Sequence, residues 1–411
     1  MKRSLDPRRA PLVPRLSGQG YTRAQVDERR RWVEEQTGAS LRRIGEFSIS
    51  SEDMRGNVEN PVGTAQVPLG VAGPLAVDGE HAQGVFYVPL ATTEGVLVRS
   101  YERGMVALTR SGGATARIER DENRISPVFV FDDVAAAHAF ATKLPEYFDD
   151  LKAEAEATTR HGRFLRIEPR VLGIQVVVTF FFSTGDAHGM NLIARAADRA
   201  CKWLVEHTEA ERFLLFSGAE SEKRASGSLW AGGKGKRVTA GARLPRRVVR
   251  AVLGTTPEDL ADLWHHTVVG QLSTGTLGYT GHAANGLTAL FIATGQDVAN
   301  VANAAVVLTQ LRVGPEDGDL VASVTLPSLT VATVGGGTGL GTAREALELL
   351  GCYGPGGAPK LAEIAAATIL AGELSMGAAL ASGEFVDAHE TYGRNRPTES
   401  TDSPESEDPA P

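Results

Sequence analysis

The chain has 411 residues, enough for two or three domains with large cores, and carries a formal net charge of −8 with a pI near 5.7. That acidic balance, with no basic stripe interleaved with aromatics, argues against a nucleic-acid binder. Two cysteines, Cys201 and Cys352, exclude a disulfide framework; neither has metal-ligand spacing, so both read as reduced core residues of a cytoplasmic protein with no metal site.

Along the chain, Met1 to Gly20 is rich in Arg and Pro, and Met1–Pro7 is basic without the apolar stretch of a signal peptide. Thr22 is an N-cap candidate and Gln25 completes a capping box, which predicts a helix from Arg23 to Gln36. Pro127 to Phe131 reads as a strand and Asp132 to Ala157 as a helical stretch broken at Pro145. Arg163–Pro169 and Val171–Phe182 read as two strands with little between them, His188–Glu206 as a helix and Arg212–Phe216 as a strand. The order β-α-β-β-α-β is that of a ferredoxin-like unit. No run of about 18 apolar residues is present, so no membrane span is expected.

The predicted fold class is α+β. Residues 1–60 form an N-terminal helical region. The segments 61–126 and 217–380, with their long Ala-, Val- and Leu-rich stretches, form one large, mostly helical substrate domain. Residues 127–216 form a ferredoxin-like cofactor domain inserted into it. A C-terminal flap over 381–396 and a disordered tail over 397–411 follow, the tail having only small, acidic and proline residues from Thr398 onward. No internal repeat is visible.

The glycine run Gly335-Gly336-Gly337-Thr338-Gly339-Leu340-Gly341 lacks the G-x-G-x-x-G spacing of a dinucleotide loop, and there is no Walker pattern. It reads either as a tight turn before a helix over 342–350 or as backbone that a ligand can approach closely.

Four polar motifs stand far apart: Thr92-Thr93-Glu94-Gly95, Ser221-Glu222-Lys223-Arg224, Gly295-Gln296-Asp297 and Ala388-His389-Glu390. Together they offer an acid, a cation, a second carboxylate and an imidazole. Each has a plain alternative: a helix-terminal acid, an exposed loop lysine, a helix cap and a solvated tail histidine. His282, beside Ala283 and Ala284, reads as a buried, hydrogen-bonded histidine.

Longer motifs frame these. Glu59-Asn60-Pro61-Val62-Gly63 and Val67–Leu75 resemble the substrate loop of hydroxymethylglutaryl-CoA reductases. Thr92–Gly95, Asp186–Asn191, His282–Asn285, Gly295–Asp297 and Thr333–Thr338 resemble that family in the same order, over residues 40 to 396. The resemblance implies reduction of 3-hydroxy-3-methylglutaryl-CoA to mevalonate with two NADPH, through a hemithioacetal and an aldehyde. Lys223 would stabilise the oxyanion, Glu94 would donate a proton to it, and Asp297 would sit between the two. His389 would protonate the departing thiolate from a mobile flap.

It further implies substrate contacts at Ser100, Arg103, Arg124, Ser217, Glu222, Arg224 and Asn285. Cofactor contacts are implied at Asp186, Gly189, Met190, Asn191, Gln296, Gly335 and Gly336, with Arg163 and Arg394 on the NADPH 2′-phosphate. A homodimer or higher oligomer with sites between subunits is implied, with Glu59 to Leu75 near the interface. Departures fall on the acyl pocket: Glu222-Lys223-Arg224 stands for Asp-Lys-Lys, Glu102 precedes Arg103, and Arg124 lies one residue early for a carboxylate clamp. Two other readings stand beside this one: the same chemistry on another acyl-CoA or carrier-bound acyl group, or a non-catalytic regulatory homologue.

Overall fold

The computed structural model describes residues 10–386 and residue 390. His389, Arg394, most of the expected flap and the tail expected to be disordered lie outside the described residues.

The first helix, α1 (Arg23–Thr37), starts at Thr22 with the expected capping box: the Thr22 side chain accepts from the Gln25 backbone, and Gln25 reaches back to the Thr22 backbone. A short turn, α2 (Arg42–Gly45), leads to the hairpin β1 (Leu69–Asp78) and β2 (Gln83–Ala91), and then to α3 (Leu97–Arg110). The next strand, β3 (Ala114–Ile125), is shared by two sheets. Its Thr115–Glu122 stretch pairs antiparallel with β8 (Gly235–Leu244), and Asn123–Ile125 pairs with β6 (Gln175–Ser183).

Between them come β4 (Val128–Val130), α4 (Val134–Lys143), a 3-10 turn carrying Pro145, α5 (Phe148–Glu156), β5 (Arg163–Leu172), β6, α6 (Met190–His207) and β7 (Arg212–Leu214). Strands β5 and β6 are joined by Gly173-Ile174, with Gly173 at φ +64°, a conformation glycine adopts without penalty. The strand order here is β7-β4-β6-β5, all pairs antiparallel. A separate core of phenylalanines and alanines, Phe129, Phe140, Phe164, Phe180 and Ala197 among them, lies between this sheet and its helices.

After β8 come a short turn α7 (Arg246–Val248), α8 (Pro257–Ser273), α9 (Ala283–Ala293), α10 (Val301–Ala304), β9 (Leu308–Val313), β10 (Leu320–Leu329), α11 (Gly341–Leu349) and α12 (Gly357–Ser382). Strand β10 lies between β8 and β9, antiparallel to both. Helix α12 is 26 residues long and apolar enough to cross a bilayer by length and composition, but most of it is buried in this protein against α3, α9, β3, β8 and β10. It is the core helix of the larger sheet.

The expectation of a mostly helical large domain is corrected here, because segments 61–126 and 217–380 contribute six strands. In β8, Lys236, Val238 and Ala240 are buried in strict alternation, and in β10 Leu320, Ala322, Val324 and Leu326 are. Strand β8 carries Gly235, Ala240, Gly241 and Ala242, residues of low strand preference. In β8 the two-residue period, more than the composition, marks the strand.

Candidate active site

Lys223 lies in the loop between β7 and β8. Its Nζ is 2.7 Å from Asp297 Oδ2, so a loop and the end of α9 are joined by an ion pair. Asp297 also caps the 3-10 turn after α9, accepting from the Ala299 N–H through Oδ1 at 3.2 Å. The two side chains are 44% and 39% exposed, so solvent screens them and the pair adds little to stability. Lys223 sits at φ +56° and Ser221 at +57°. Non-glycine residues held in that region store strain, which concentrates at functional sites.

Beneath Lys223 is a second cation that the sequence reading missed. Lys234 is fully buried and pairs with Glu222; its Nζ also donates to Asn123 Oδ1 at 2.9 Å and lies 3.1 Å from Met190 Sδ. Burial pushes its pKa down, and Glu222 opposes that. The signal was a lysine among glycines, Gly232-Gly233-Lys234-Gly235. Both Gly233 (φ +84°) and Gly235 (φ +79°) need left-handed backbone, and a Cβ at Gly235 would lie 2.6 Å from the Leu329 carbonyl oxygen. His188 completes the cluster, with Nε2 3.6 Å from Glu222 Oε1.

Glu94 lies elsewhere, two residues before Val96, which opens α3 at φ +72°. Asn285, in the first turn of α9, donates through Nδ2 to both Glu94 carboxylate oxygens at 2.8 and 3.0 Å. The eight steps from Asn285 to Ala293 rise about 12 Å. Glu94 and Asn285 therefore stand toward one end of α9, and Asp297 follows the other. Within one chain the structure brings Asp297 to Lys223 and Asn285 to Glu94.

Glu94 borders two cavities. One, of about 390 Å³ between α3 and α12, is lined by Glu94, Ser100, Arg103, His282, Ser375 and Met376 among others. There Arg103 donates to Ser375 Oγ at 3.0 Å and to the Ser375 carbonyl at 2.7 Å, and Ser100 Oγ donates to Ser375 Oγ at 3.2 Å. The second, of about 400 Å³, is lined by Thr92, Glu94, Asn285 and Thr288.

His282 is buried and stacks on Tyr101 with ring centroids 4.7 Å apart. Its expected hydrogen bonds are corrected: neither ring nitrogen has a protein partner among the described residues. The bonded parts are its backbone groups, its N–H donating to Glu373 at 2.6 Å and its carbonyl accepting from the Tyr101 hydroxyl at 2.6 Å. Burial lowers its imidazole pKa to about 4.

Several residues expected to contact ligand make hydrogen bonds within the protein. The Arg124 guanidinium is buried and donates to the carbonyls of Glu220 (3.3 Å) and Gly232 (3.2 Å) and to Ser228 Oγ (2.8 Å), holding the Lys223 loop from below. Ser217 Oγ donates to the Ser126 carbonyl at 2.6 Å. Gln296 is buried against the backbone of Ala332, giving at 2.9 Å and accepting at 2.7 Å. Asp186 accepts from the N-terminal amides of α12.

Other candidates remain open to solvent. Arg224 is 62% exposed, 3.8 Å from Glu220. Arg163 and Asn191 are exposed, Asn191 in the first turn of α6 beside Gly189 and Met190. Gly335 and Gly336 are exposed with open space where a Cβ would stand. Gly337 packs against Gly295, where a Cβ on Gly337 would lie 2.6 Å from the Gly295 carbonyl oxygen.

A lysine in strained backbone paired with a carboxylate, a buried second cation and an acid facing cavities define a site able to stabilise an oxyanion and move protons. The sequence profile of the family described as Hydroxymethylglutaryl-coenzyme A reductase matches residues 25–394. The 3-hydroxy-3-methylglutaryl-coenzyme A reductase of Methanothermobacter thermautotrophicus is 41% identical over 376 residues, covering 90% of this chain and 94% of that protein. The protein of the same name from Haloferax volcanii is 42% identical over 375 residues, covering 90% and 93%. Among solved structures, the 3-hydroxy-3-methylglutaryl-coenzyme A reductase of Streptococcus pneumoniae superposes with a TM-score of 0.66 at 21% identity, covering 89% of this chain and 99% of that one, a likeness of fold. The chain belongs to the hydroxymethylglutaryl-coenzyme A reductase family.

Proposed function

We propose that the protein reduces 3-hydroxy-3-methylglutaryl-CoA to mevalonate with two NADPH, in the cytoplasm. The observation that carries this reading is the half-exposed Lys223–Asp297 pair at 2.7 Å, with Lys223 in strained backbone, in a chain of this family. NADPH, when bound, supplies the two hydrides.

The chain's own residues do the rest. Lys223 holds the developing oxyanion, with Asp297 fixing the ammonium's direction. Glu94 gives a proton to that oxygen, and His389 protonates the thiolate. Arg103 and Ser100 line the cavity that takes the CoA end. The cofactor fits the exposed side of the 127–216 unit, read here as an inserted ferredoxin-like domain on its β7-β4-β6-β5 order. Gly189, Met190 and Asn191 begin α6, where backbone N–H groups favour phosphate. Gly335 and Gly336 leave open space at the backbone, and Arg163 with Arg394 reads the 2′-phosphate.

The separation of Glu94 from Lys223 by the length of α9 supports an active site made by two subunits. Leu69, Val71, Val85 and Tyr87 form an exposed apolar face on the β1–β2 hairpin, which a second copy would cover across a two-fold axis.

One observation favours a second reading, the same chemistry on another acyl thioester. The Arg124 donors are taken up by the loop, leaving Arg224 as the cation this loop offers to an acyl carboxylate. NADPH oxidation followed at 340 nm against a panel of acyl-CoAs tests both. Turnover confined to 3-hydroxy-3-methylglutaryl-CoA supports the first reading, and turnover of a different acyl-CoA supports the second. No oxidation with any of them overturns both.

A further inference from the structure

We propose that Lys234 is a positioning residue of the Lys223–Asp297 centre: acting through Glu222 and Met190, it fixes the loop that presents Lys223 against the turn that opens α6, so that the oxyanion-holding ammonium and the cofactor keep one register. This rests on the reading of the site as a reducing centre.

Three observations carry it. First, one buried ammonium joins three segments. Lys234 pairs with Glu222 of the loop after β7, and its Nζ donates to Asn123 Oδ1 on β3 at 2.9 Å and to Met190 Sδ on α6 at 3.1 Å. Asn123 Nδ2 donates in turn to the His188 carbonyl at 2.9 Å, so the turn 188–190 is held by both side chains. Second, the base of the lysine is fixed. Its carbonyl accepts from Ser328 Oγ at 2.7 Å, and it follows Gly233, where a Cβ would lie 2.5 Å from the Phe181 ring. Third, Glu222 stands between Ser221 at φ +57° and Lys223 at φ +56°. Backbone in that region persists only where its surroundings hold it. Arg124 on the Glu220 carbonyl and the contact between the Ser221 and Ser228 hydroxyls hold the near side of the loop. Lys234 holds Glu222 itself, the residue next to Lys223.

A buried ion pair is a weak source of stability, because desolvation offsets much of the attraction. What this pair supplies is direction. With Lys234 in place the Glu222 side chain is tied down, and the backbone that carries it aims Lys223 at Asp297, 2.7 Å from Nζ to Oδ2. The same ammonium, through Met190, holds the start of α6, whose first amides favour a phosphate group. A hydride donor and the cation that receives the developing charge must be placed together, and a misplacement of about 1 Å costs on the order of a hundredfold in rate. Lys234 touches both segments and so sets their separation.

Full-length Lys234→Met, similar in length but uncharged, forms a cycle with Glu222→Gln and the double variant that separates positioning from packing. In the parent background Lys234→Met should lower kcat roughly tenfold or more. In the Glu222→Gln background the same change should alter kcat by less than about threefold, since the path through Glu222 is already gone. The KM for NADPH should rise about threefold or more in both backgrounds, because the ammonium contact with Met190 is lost in both. A parental kcat in Lys234→Met, an equal loss of kcat in the two backgrounds, or a parental KM for NADPH overturns the proposal. If the carboxylate left buried without its cation keeps Lys234→Met from folding, the double variant, with neither charge, is compared with Glu222→Gln, and equal KM values for NADPH overturn the proposal. A second readout needs no substrate. Trypsin acting on the folded chain cuts after Lys223 or Arg224, both exposed, as the loop opens. Lys234→Met should be cut at those bonds, identified by mass spectrometry, about threefold faster than the parent or more. Equal rates overturn the proposal. A loop loosened by Lys234→Met in a chain whose parent is inactive on every acyl-CoA would instead leave the positioning role standing and defeat the substrate reading.

Discussion

Asp186 and Ala358 are 172 positions apart in sequence, yet the Asp186 carboxylate accepts the Ala358 N–H at 3.0 Å, with its other oxygen on the Gly356 N–H at 2.8 Å. The turn before α6 is thereby bound to the N-terminus of α12, where an anion is favoured by the unpaired amides and the helix dipole. The Asp186 carbonyl adds bonds from Thr333 (2.9 Å) and Val334 (3.2 Å), just before the glycine run.

Asp186→Ala removes that cap and leaves the amides without their acceptor. A loss of about 1 to 2 kcal/mol in unfolding free energy is expected, measured by urea denaturation. Since the same residue joins the α6 turn to the glycine run, the KM for NADPH should also rise. A variant with parental stability would show that the cap is replaced by water.

Lys223→Ala should separate function from stability. The pair is half-exposed, so its loss should change the unfolding free energy by less than about 1 kcal/mol. Turnover should fall by more than about a hundredfold, as when a preorganised oxyanion donor is removed. Activity within tenfold of the parent would reject the oxyanion role.

Much of this was legible in the sequence, for local reasons. The capping box at Thr22 and Gln25 marks a helix start by residues three apart. The β-α-β-β-α-β order follows from runs of apolar residues between turn signals, and Pro145 falls in the 3-10 turn that separates α4 from α5. What a polar side chain faces is not local. Gln296 looks like a ligand contact in its motif, but its partner is the backbone of Ala332, 36 residues on. Arg124 seems free until the loop ending at Gly232 closes over it. Lys234 carries no motif of its own; its burial depends on Glu222 and Asn123 arriving from two other segments.

Arg163→Ala tests cofactor choice. The residue is exposed, and its side chain makes a long contact to the Gly162 carbonyl at 3.4 Å. It is available to a phosphate as a bidentate donor. The KM for NADPH should rise at least tenfold while that for NADH stays within about twofold. Equal effects on the two cofactors would place the 2′-phosphate elsewhere.

His282 makes a pH prediction about stability. Its pKa in the fold is about 4, lowered from 6.5 by burial. A base whose folded pKa is depressed stays neutral in the fold while the unfolded chain takes up a proton. Its contribution is therefore full above about pH 6.5 and is lost as pH falls toward 4. That lowering corresponds to about 3 to 4 kcal/mol at most. His282→Phe keeps an aromatic ring against Tyr101 and removes the titration. Urea midpoints measured from pH 7 to pH 4 should fall more steeply for the parent than for His282→Phe. Parallel curves would mean that the imidazole is protonated in the fold.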